Sequence, residues 1–261
     1  MLTPRHAREL LMRTARLFIA AMLVLLACPA SARDALPADF VYLRDIDPSI
    51  VQDMRYAGID NFTGGRLPGY DAPECVLRRD VAAALKRVQA ELAKSNLSLK
   101  TYDCYRPART SRAMARWAQA GEDGRTKRFY PALDKRTLFS GYISAQSAHS
   151  TGIAIDLTIM RVPEPAVPLF DSRAAYGPCT AANRSTDSSL DMGTGFDCFD
   201  QKSHTSSGAI TPEQKRNRGL LLAAMRSHGF KNYFREWWHF TYGGPKATPL
   251  YDFPIAPRTA R

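Results

Sequence analysis

Between Arg78 and Lys94 the apolar residues Val81, Ala84, Leu85, Val88 and Leu92 lie at helical spacing, so the pattern predicts a helix with one buried stripe. The period then changes. Leu97-Ser98-Leu99-Lys100-Thr101-Tyr102 alternates, which predicts a strand carrying Cys104, Tyr105 and Arg106 at its end. Pro107, well suited to a first helical turn, opens a second helix that reaches about Ala120. From Gly152 to Ile159 small or apolar residues alternate with Asp156 and Thr158, the mark of a strand with one face turned toward a site. Thr211-Pro212-Glu213-Gln214 combines an N-cap, a first-turn proline and a capping-box partner; Leu221, Leu222 and Met225 continue that helix and Gly229 stops it. A final strand is predicted from about Tyr233 to Tyr242.

The intervening segments are rich in turn formers. Leu36 to Pro48 is a lead-in with proline and aspartate, and Gly58 to Tyr70, rich in Gly, Asn and Asp, reads as an ordered loop without a strand. Residues 162–191, with Pro163, Pro165, Pro168, Gly177 and Pro178, read as a long excursion. There is no internal repeat and no low-complexity tract. The expected fold is a single α+β domain, with helices packed around an antiparallel sheet whose face carries the functional site. At 45% hydrophobic and 23% charged over 261 residues, the composition is globular and sufficient for one substantial core.

The first 32 residues do not join that core. Arg5, Arg8, Arg13 and Arg16 precede an apolar run from Leu17 to Cys28 and then Ala30-Ser31-Ala32, the layout of a secretory signal peptide cleaved after Ala32. The run is shorter than the roughly 18 apolar residues that argue for a membrane span. Leu25-Leu26-Ala27-Cys28 supports a rival layout, a lipoprotein signal that would tether the protein to a membrane through Cys28. Cleavage leaves a domain over residues 33–261, periplasmic or secreted. Its formal charge drops by three, from +11 to +8, because four arginines and Glu9 are lost. That balance suits an anionic surface such as a cell wall, or simply a solvated basic face. No Lys/Arg block is interleaved with aromatics, so nucleic acid is not expected. Four cysteines remain, Cys75, Cys104, Cys179 and Cys198, and an even number in an exported chain argues for two disulfides. Of three connectivities, Cys75 with Cys104 and Cys179 with Cys198 closes the two local loops and is the one expected, at roughly 2–4 kcal/mol per bridge.

Two segments concentrate metal-ligand chemistry: Ser147 to Asp156, which contains His149, and Glu236-Trp237-Trp238-His239. A hydrolytic zinc site takes three protein ligands and keeps a fourth position for water, whose pKa falls to about 7. His149, Asp156 and His239 supply such a set for one Zn2+ per chain. The seven-residue offset between His149 and Asp156 would put them on opposite faces of a straight strand, so the chain must turn at Ser150-Thr151-Gly152. Glu236, three residues before His239, suits a general base that reaches the water from the side. A lone histidine is more often structural, but two flanked by acids among four mature histidines favour ligation. His204 and His228 lack that setting, and His228 reads as a helix-terminal residue beside Gly229. Trp237 and Trp238 read as core and pocket wall. Arg106, held extended by Pro107, fits either an oxyanion stabiliser or a structural ion pair.

These motifs resemble those of the VanX-type D-alanyl-D-alanine dipeptidases, zinc peptidases related to D,D-carboxypeptidases. The resemblance runs from about Tyr42 to Pro254 and is carried by Asp60-Asn-Phe-Thr-Gly64, Tyr102-Asp-Cys-Tyr-Arg-Pro107, Ser147-x-His-x-x-Gly-x-Ala-x-Asp156, Phe196-Asp197, Glu236-Trp-Trp-His239 and Asp252-Phe-Pro254. It implies His149, Asp156 and His239 as zinc ligands, Glu236 as catalytic base and Arg106 as the transition-state stabiliser. It further implies that Tyr56, Ser147 and Asp197 line a dipeptide pocket, with Asp197 and Ser147 near the substrate ammonium. A carboxylate reserved for a free amino terminus favours dipeptides over internal peptide bonds. Ala148, where a second serine is often found, and the long excursion depart from the family pattern and bear on substrate range. An exported enzyme of this kind is expected to scavenge wall-derived dipeptide. The alternatives are a carboxypeptidase or endopeptidase acting on peptidoglycan fragments, a wall-binding module whose structural zinc takes Glu236 as fourth ligand, and an iron oxygenase site.

Overall fold

The amphipathic stripe and the strand that follows it form the centre of the fold. The computed structural model describes residues 36–122, 124–243 and 249–258, and the expected leader with Cys28 lies outside them. In chain order the elements are β1 (Phe40–Tyr42), α1 (Leu43–Ile46), β2 (Val51–Gln52), β3 (Val76–Arg78), α2 (Arg79–Ala93) and β4 (Leu97–Asp103). They continue with α3 (Ala108–Gln119), β5 (Ala154–Arg161), α4 (Pro212–Ser227), β6 (Phe230–Asn232) and β7 (His239–Tyr242). The helix starts follow their local chemistry: Pro107 is the N-cap of α3, and Thr211 and Gln214 close a complete capping box on α4. Gly229, at φ +90°, ends the last helix as a left-handed residue.

The α+β architecture is the expected one. Five strands are ordered β2-β4-β5-β7-β6; β2 runs parallel to β4 and every other neighbouring pair is antiparallel, while β1 and β3 pair separately. Strand residues paired directly across a ladder share a face. Leu99 with Ile159 and Thr101 with Leu157 therefore face one side, and Lys100 with Thr158 the other. Val81, Leu85 and Val88 of α2 are fully buried, each contributing roughly 1.5–3 kcal/mol, and Gln89 of the same helix accepts from Leu99 N at 2.8 Å. The opposite face is left for polar residues.

Two expectations need correction. The final strand predicted from Tyr233 to Tyr242 is instead the pair β6 and β7, with residues 233–238 turning between them. Glu236 N bonds Tyr233 O (3.0 Å), His239 N bonds Glu236 O (3.2 Å), and the Asn232 amide donates to Glu236 O and His239 O at 2.9 Å each. An amide that satisfies a turn's carbonyls leaves no trace in apolar periodicity. The strand predicted from Gly152 begins at Ala154 and reaches Arg161, because Gly152 and the residues before it form the approach turn. Residues 162–191 hold no helix or strand. They are tied down by Arg55 to Asp187 (2.9 Å) and by Lys100 Nζ to Ser188 Oγ (3.0 Å). Both expected disulfides, Cys75–Cys104 and Cys179–Cys198, are present.

Candidate active site

Strand register assembles the site. Asp103 of β4 lies opposite Asp156 of β5, which lies opposite His239 of β7. Thr101 pairs with Leu157, so one extra residue, Tyr102, is accommodated before Asp103. This bulge shifts Asp103 from the helix-covered face to the polar one. His149 arrives from outside the sheet on a 3-10 turn, Ala148–Thr151, capped by the Ser147 side chain accepting from His149 N at 3.3 Å. Gly152 then swings the chain into β5 at φ +76°; a Cβ there would lie 2.3 Å from the Phe40 ring. The turn required by the seven-residue offset is thus supplied where expected.

Three donor atoms converge. His149 Nε2 lies 3.1 Å from His239 Nδ1 and 3.3 Å from Asp156 Oδ1, and His239 Nδ1 lies 3.0 Å from that same oxygen. His149 Nδ1 sits 2.7 Å from the Cys104 carbonyl and so carries the proton, leaving a lone pair on Nε2. One proton on His239 cannot satisfy both neighbours, whereas a cation between them satisfies all three. Tetrahedral bonds of about 2.0–2.1 Å put ligand atoms roughly 3.3–3.4 Å apart, close to the observed spacings. The donor set fits a metal ion.

Charged groups surround this triangle. Asp103 is fully buried; its Oδ2 accepts from Arg106 Nε (2.9 Å) and pairs with Nη2 at 2.7 Å, and its Oδ1 accepts from Cys104 N (2.9 Å) and the Tyr70 hydroxyl. Arg106 Nη2 is 3.7 Å from Asp156 Oδ2, and its guanidinium lies over the Tyr56 ring. Tyr56 OH donates to Asp197 Oδ2 at 2.9 Å. Glu236 Oε2 stands 3.8 Å from His239 Nδ1. Burial opposes ionisation of Asp156, yet His149 and His239 hold its carboxyl below the usual range. Burial, reinforced by Asp156, pushes the Glu236 and Asp197 carboxyls well up. Burial also holds His239 toward its neutral form, the form that ligates.

Tyr56, Arg106, Ser147, His149, Asp156, Asp197, Glu236 and His239 all line one cavity of about 390 Å³, closed by Tyr142, Ile143, Tyr233 and Trp238. Every site residue expected from the sequence outside the disulfides is therefore brought together. Trp237 is buried beside it, donating to Thr194 Oγ1. His204 stays at the margin, 3.4 Å from Tyr142 OH, and His228 bonds Glu91 at the end of α4. Asp103 was not anticipated. Its signal was present in Asp103-x-x-Arg106, a carboxylate three residues before a fixed guanidinium. Tyr142 and Ile143 carried no such signal, because the loop bearing them has no periodicity.

A His/Asp/His cluster with His149 and Asp156 buried and His239 partly open to the cavity, beside a carboxylate and an arginine, fits the class of metal-dependent hydrolases. The family profile described as D-ala-D-ala dipeptidase matches residues 37–165 and 160–256, and the chain belongs to that family of metallopeptidases. It is 34% identical over 224 residues to a D-alanyl-D-alanine dipeptidase of Streptomyces coelicolor, covering 85% of this chain and 100% of that protein. A D-alanyl-D-alanine dipeptidase of Enterococcus faecium is 31% identical over 219 residues, covering 83% and 98%. Among solved structures, the vancomycin-resistance D,D-dipeptidase VanXYg in complex with a D-Ala-D-Ala phosphinate analogue aligns with TM-score 0.35 and 18% identity. That alignment covers 78% of this chain and 66% of the other.

Proposed function

We propose that this chain is an exported zinc dipeptidase in which His149, Asp156 and His239 hold the metal, Glu236 is the general base and Arg106 stabilises the oxyanion. The observation that carries this is the triangle of donor atoms at 3.0–3.3 Å with the Glu236 carboxylate beside it. When bound, zinc lowers the pKa of a coordinated water to about 7 and polarises the scissile carbonyl. Glu236 accepts the proton of the attacking water at a carboxylate oxygen and later delivers it to the leaving amine. Its raised pKa supports both duties, since it can hold the proton between steps. Arg106, held on Asp103 by a hydrogen bond from Nε and an ion-pair contact from Nη2, presents a fixed positive charge to the developing oxyanion. Asp197, oriented by Tyr56 OH, receives the substrate ammonium together with Ser147.

The substrate is D-Ala-D-Ala or a closely related dipeptide, as the names of the relatives suggest. Residues 1–32 are a signal peptide and residues 33–261 the catalytic domain. The leader and two buried disulfides support action outside the cytoplasm, on dipeptide scavenged from the wall. The test is release of free alanine, of either hand, from D-Ala-D-Ala, L-Ala-L-Ala and an N-blocked dipeptide, with and without chelator. Zinc-restored cleavage of free D-Ala-D-Ala alone is expected; chelator-insensitive cleavage would refute the proposal.

A further inference from the structure

Cys104 is one end of a disulfide and also the residue whose carbonyl receives His149. That carbonyl lies 2.7 Å from His149 Nδ1, and the bond turns the Nε2 lone pair toward Asp156 and His239. The Cys104 amide donates to Asp103 Oδ1 at 2.9 Å, and Asp103 Oδ2 grips Arg106. Arg106 N bonds His149 O at 3.2 Å. Residues 103–106 thus orient one metal ligand and the guanidinium together.

Strand β4 has ended at Asp103, so no sheet ladder fixes the Cys104 carbonyl. The constraint comes from the side. Cys104 is bonded through sulfur to Cys75, both are fully buried, and their Cα atoms are 5.3 Å apart. Cys75 is itself anchored: its carbonyl accepts from Leu43 N at 2.8 Å and its amide donates to Gln52 Oε1 at 2.9 Å. The adjacent Tyr105 N bonds Val76 O at 2.8 Å. Without the sulfur bridge, this backbone bond is what remains between the two segments near Cys104. The second bridge is different in kind. Cys179–Cys198 staples the end of the excursion, and the hydrogen bonds of its cysteines run to Arg128, Phe129, Gly195 and Ser203.

We propose that the Cys75–Cys104 disulfide is a positioning element of the metal centre, so that the chain reaches full metal affinity and turnover only when oxidised. This rests on the ligand assignment made above. The bridge forms by thiol–disulfide exchange: the two thiols give up two protons and two electrons as the sulfurs join, and an external disulfide such as oxidised glutathione takes them up and becomes two thiols. Coupled to export, the reduced precursor inside the cell is a weak peptidase. A cytoplasmic pool of the same dipeptide is then spared until the enzyme has left it.

The test compares three full-length proteins: wild type, Cys75→Ala/Cys104→Ala and Cys179→Ala/Cys198→Ala. Zinc affinity is read by competition with a chromogenic chelator, kcat and KM for D-Ala-D-Ala are measured separately, and circular dichroism checks the fold. Loss of a partner that orients a ligand weakens metal binding by roughly 10–100-fold. The first variant should fall in that range, with kcat reduced at saturating zinc through the released Arg106. The second should keep wild-type zinc affinity. Zinc affinity and kcat within twofold of wild type in a folded Cys75→Ala/Cys104→Ala protein would overturn the inference. Should that variant fail to fold, oxidised zinc-loaded wild type is treated with a phosphine reductant, and zinc release is followed alongside alkylation of each cysteine by mass spectrometry. Release in step with Cys75 and Cys104 supports the inference, and retention of zinc after both are alkylated refutes it. If oxidised wild type binds no zinc at all, the ligand assignment fails instead.

Discussion

Replacing Asp197 by asparagine isolates the recognition of the substrate's amino terminus. The residue is buried, its Oδ2 accepts from Tyr56 OH, and its backbone is left-handed at φ +55°. Asparagine tolerates that backbone conformation as aspartate does and can still accept from Tyr56, so the change removes charge and little else. Truncating one partner of a buried, hydrogen-bonded charge pair costs about 2–5 kcal/mol. The lower end applies here, because burial and Asp156 push the Asp197 carboxyl well up and part of the pairing energy is used to ionise it. About 2 kcal/mol corresponds to roughly a 30-fold loss of kcat/KM. The loss should fall on KM, since the ammonium does not change during the reaction. The sign of the pH dependence follows: an upshifted acid must deprotonate to bind a cation, so wild-type KM falls as pH rises through that value, and Asp197→Asn loses this limb. The assay is D-alanine release across pH from D-Ala-D-Ala and from its N-acetyl derivative. Wild type should reject the acetylated compound strongly and the variant only weakly. A variant KM within threefold of wild type, with discrimination intact, would show that the amino terminus binds elsewhere.

Glu236→Gln should lower kcat by about 10²–10⁴ while zinc stoichiometry, measured by elemental analysis, stays at one; activity within tenfold of wild type would remove Glu236 from the chemistry. Gly152→Ala puts a Cβ 2.3 Å from the Phe40 ring at φ +76°. It should lower the melting temperature and, by displacing the turn that bears His149, weaken zinc binding in the same chelator competition; an unchanged melting temperature would contradict the close approach. Asp187→Asn tests the anchor of the excursion. Burial opposes ionisation of Asp187, but Arg55 and Lys100 hold its carboxyl below the usual range. A depressed carboxyl stabilises the fold above its unfolded pKa of about 3.9 and loses that contribution as pH falls through the lower folded value. With one side of the pair still partly solvated, the expected cost at pH 7 is about 2 kcal/mol, or roughly 4–8 °C in Tm, and the difference from wild type should shrink in acid; a gap that widens as pH falls would refute the assignment.

The elements that rest on local chemistry are legible in the sequence. The stripe Val81, Ala84, Leu85, Val88, Leu92 becomes the buried side of α2, and the Thr211 capping box starts α4. The ligands were legible for another reason: histidines and acids are chemically scarce, and the offset from His149 to Asp156 demanded the turn that Gly152 supplies. What escaped depends on registration between distant strands. Nothing in Tyr102-Asp103 announces that the bulge between Thr101 and Asp103 moves Asp103 across the sheet, level with Asp156 and His239. The turn that carries Glu236 is held by Asn232 through two carbonyls, a pairing of polar groups that periodicity cannot report. These two irregularities also set the chemistry. A straight β4 would leave Arg106 without the carboxylate that grips it, and a straight strand through residues 233–242 would turn Glu236 and His239 to opposite faces. The site therefore sits where the regular pattern breaks, and the residues hardest to place from sequence are the ones that orient the acid, the base and the metal toward one another.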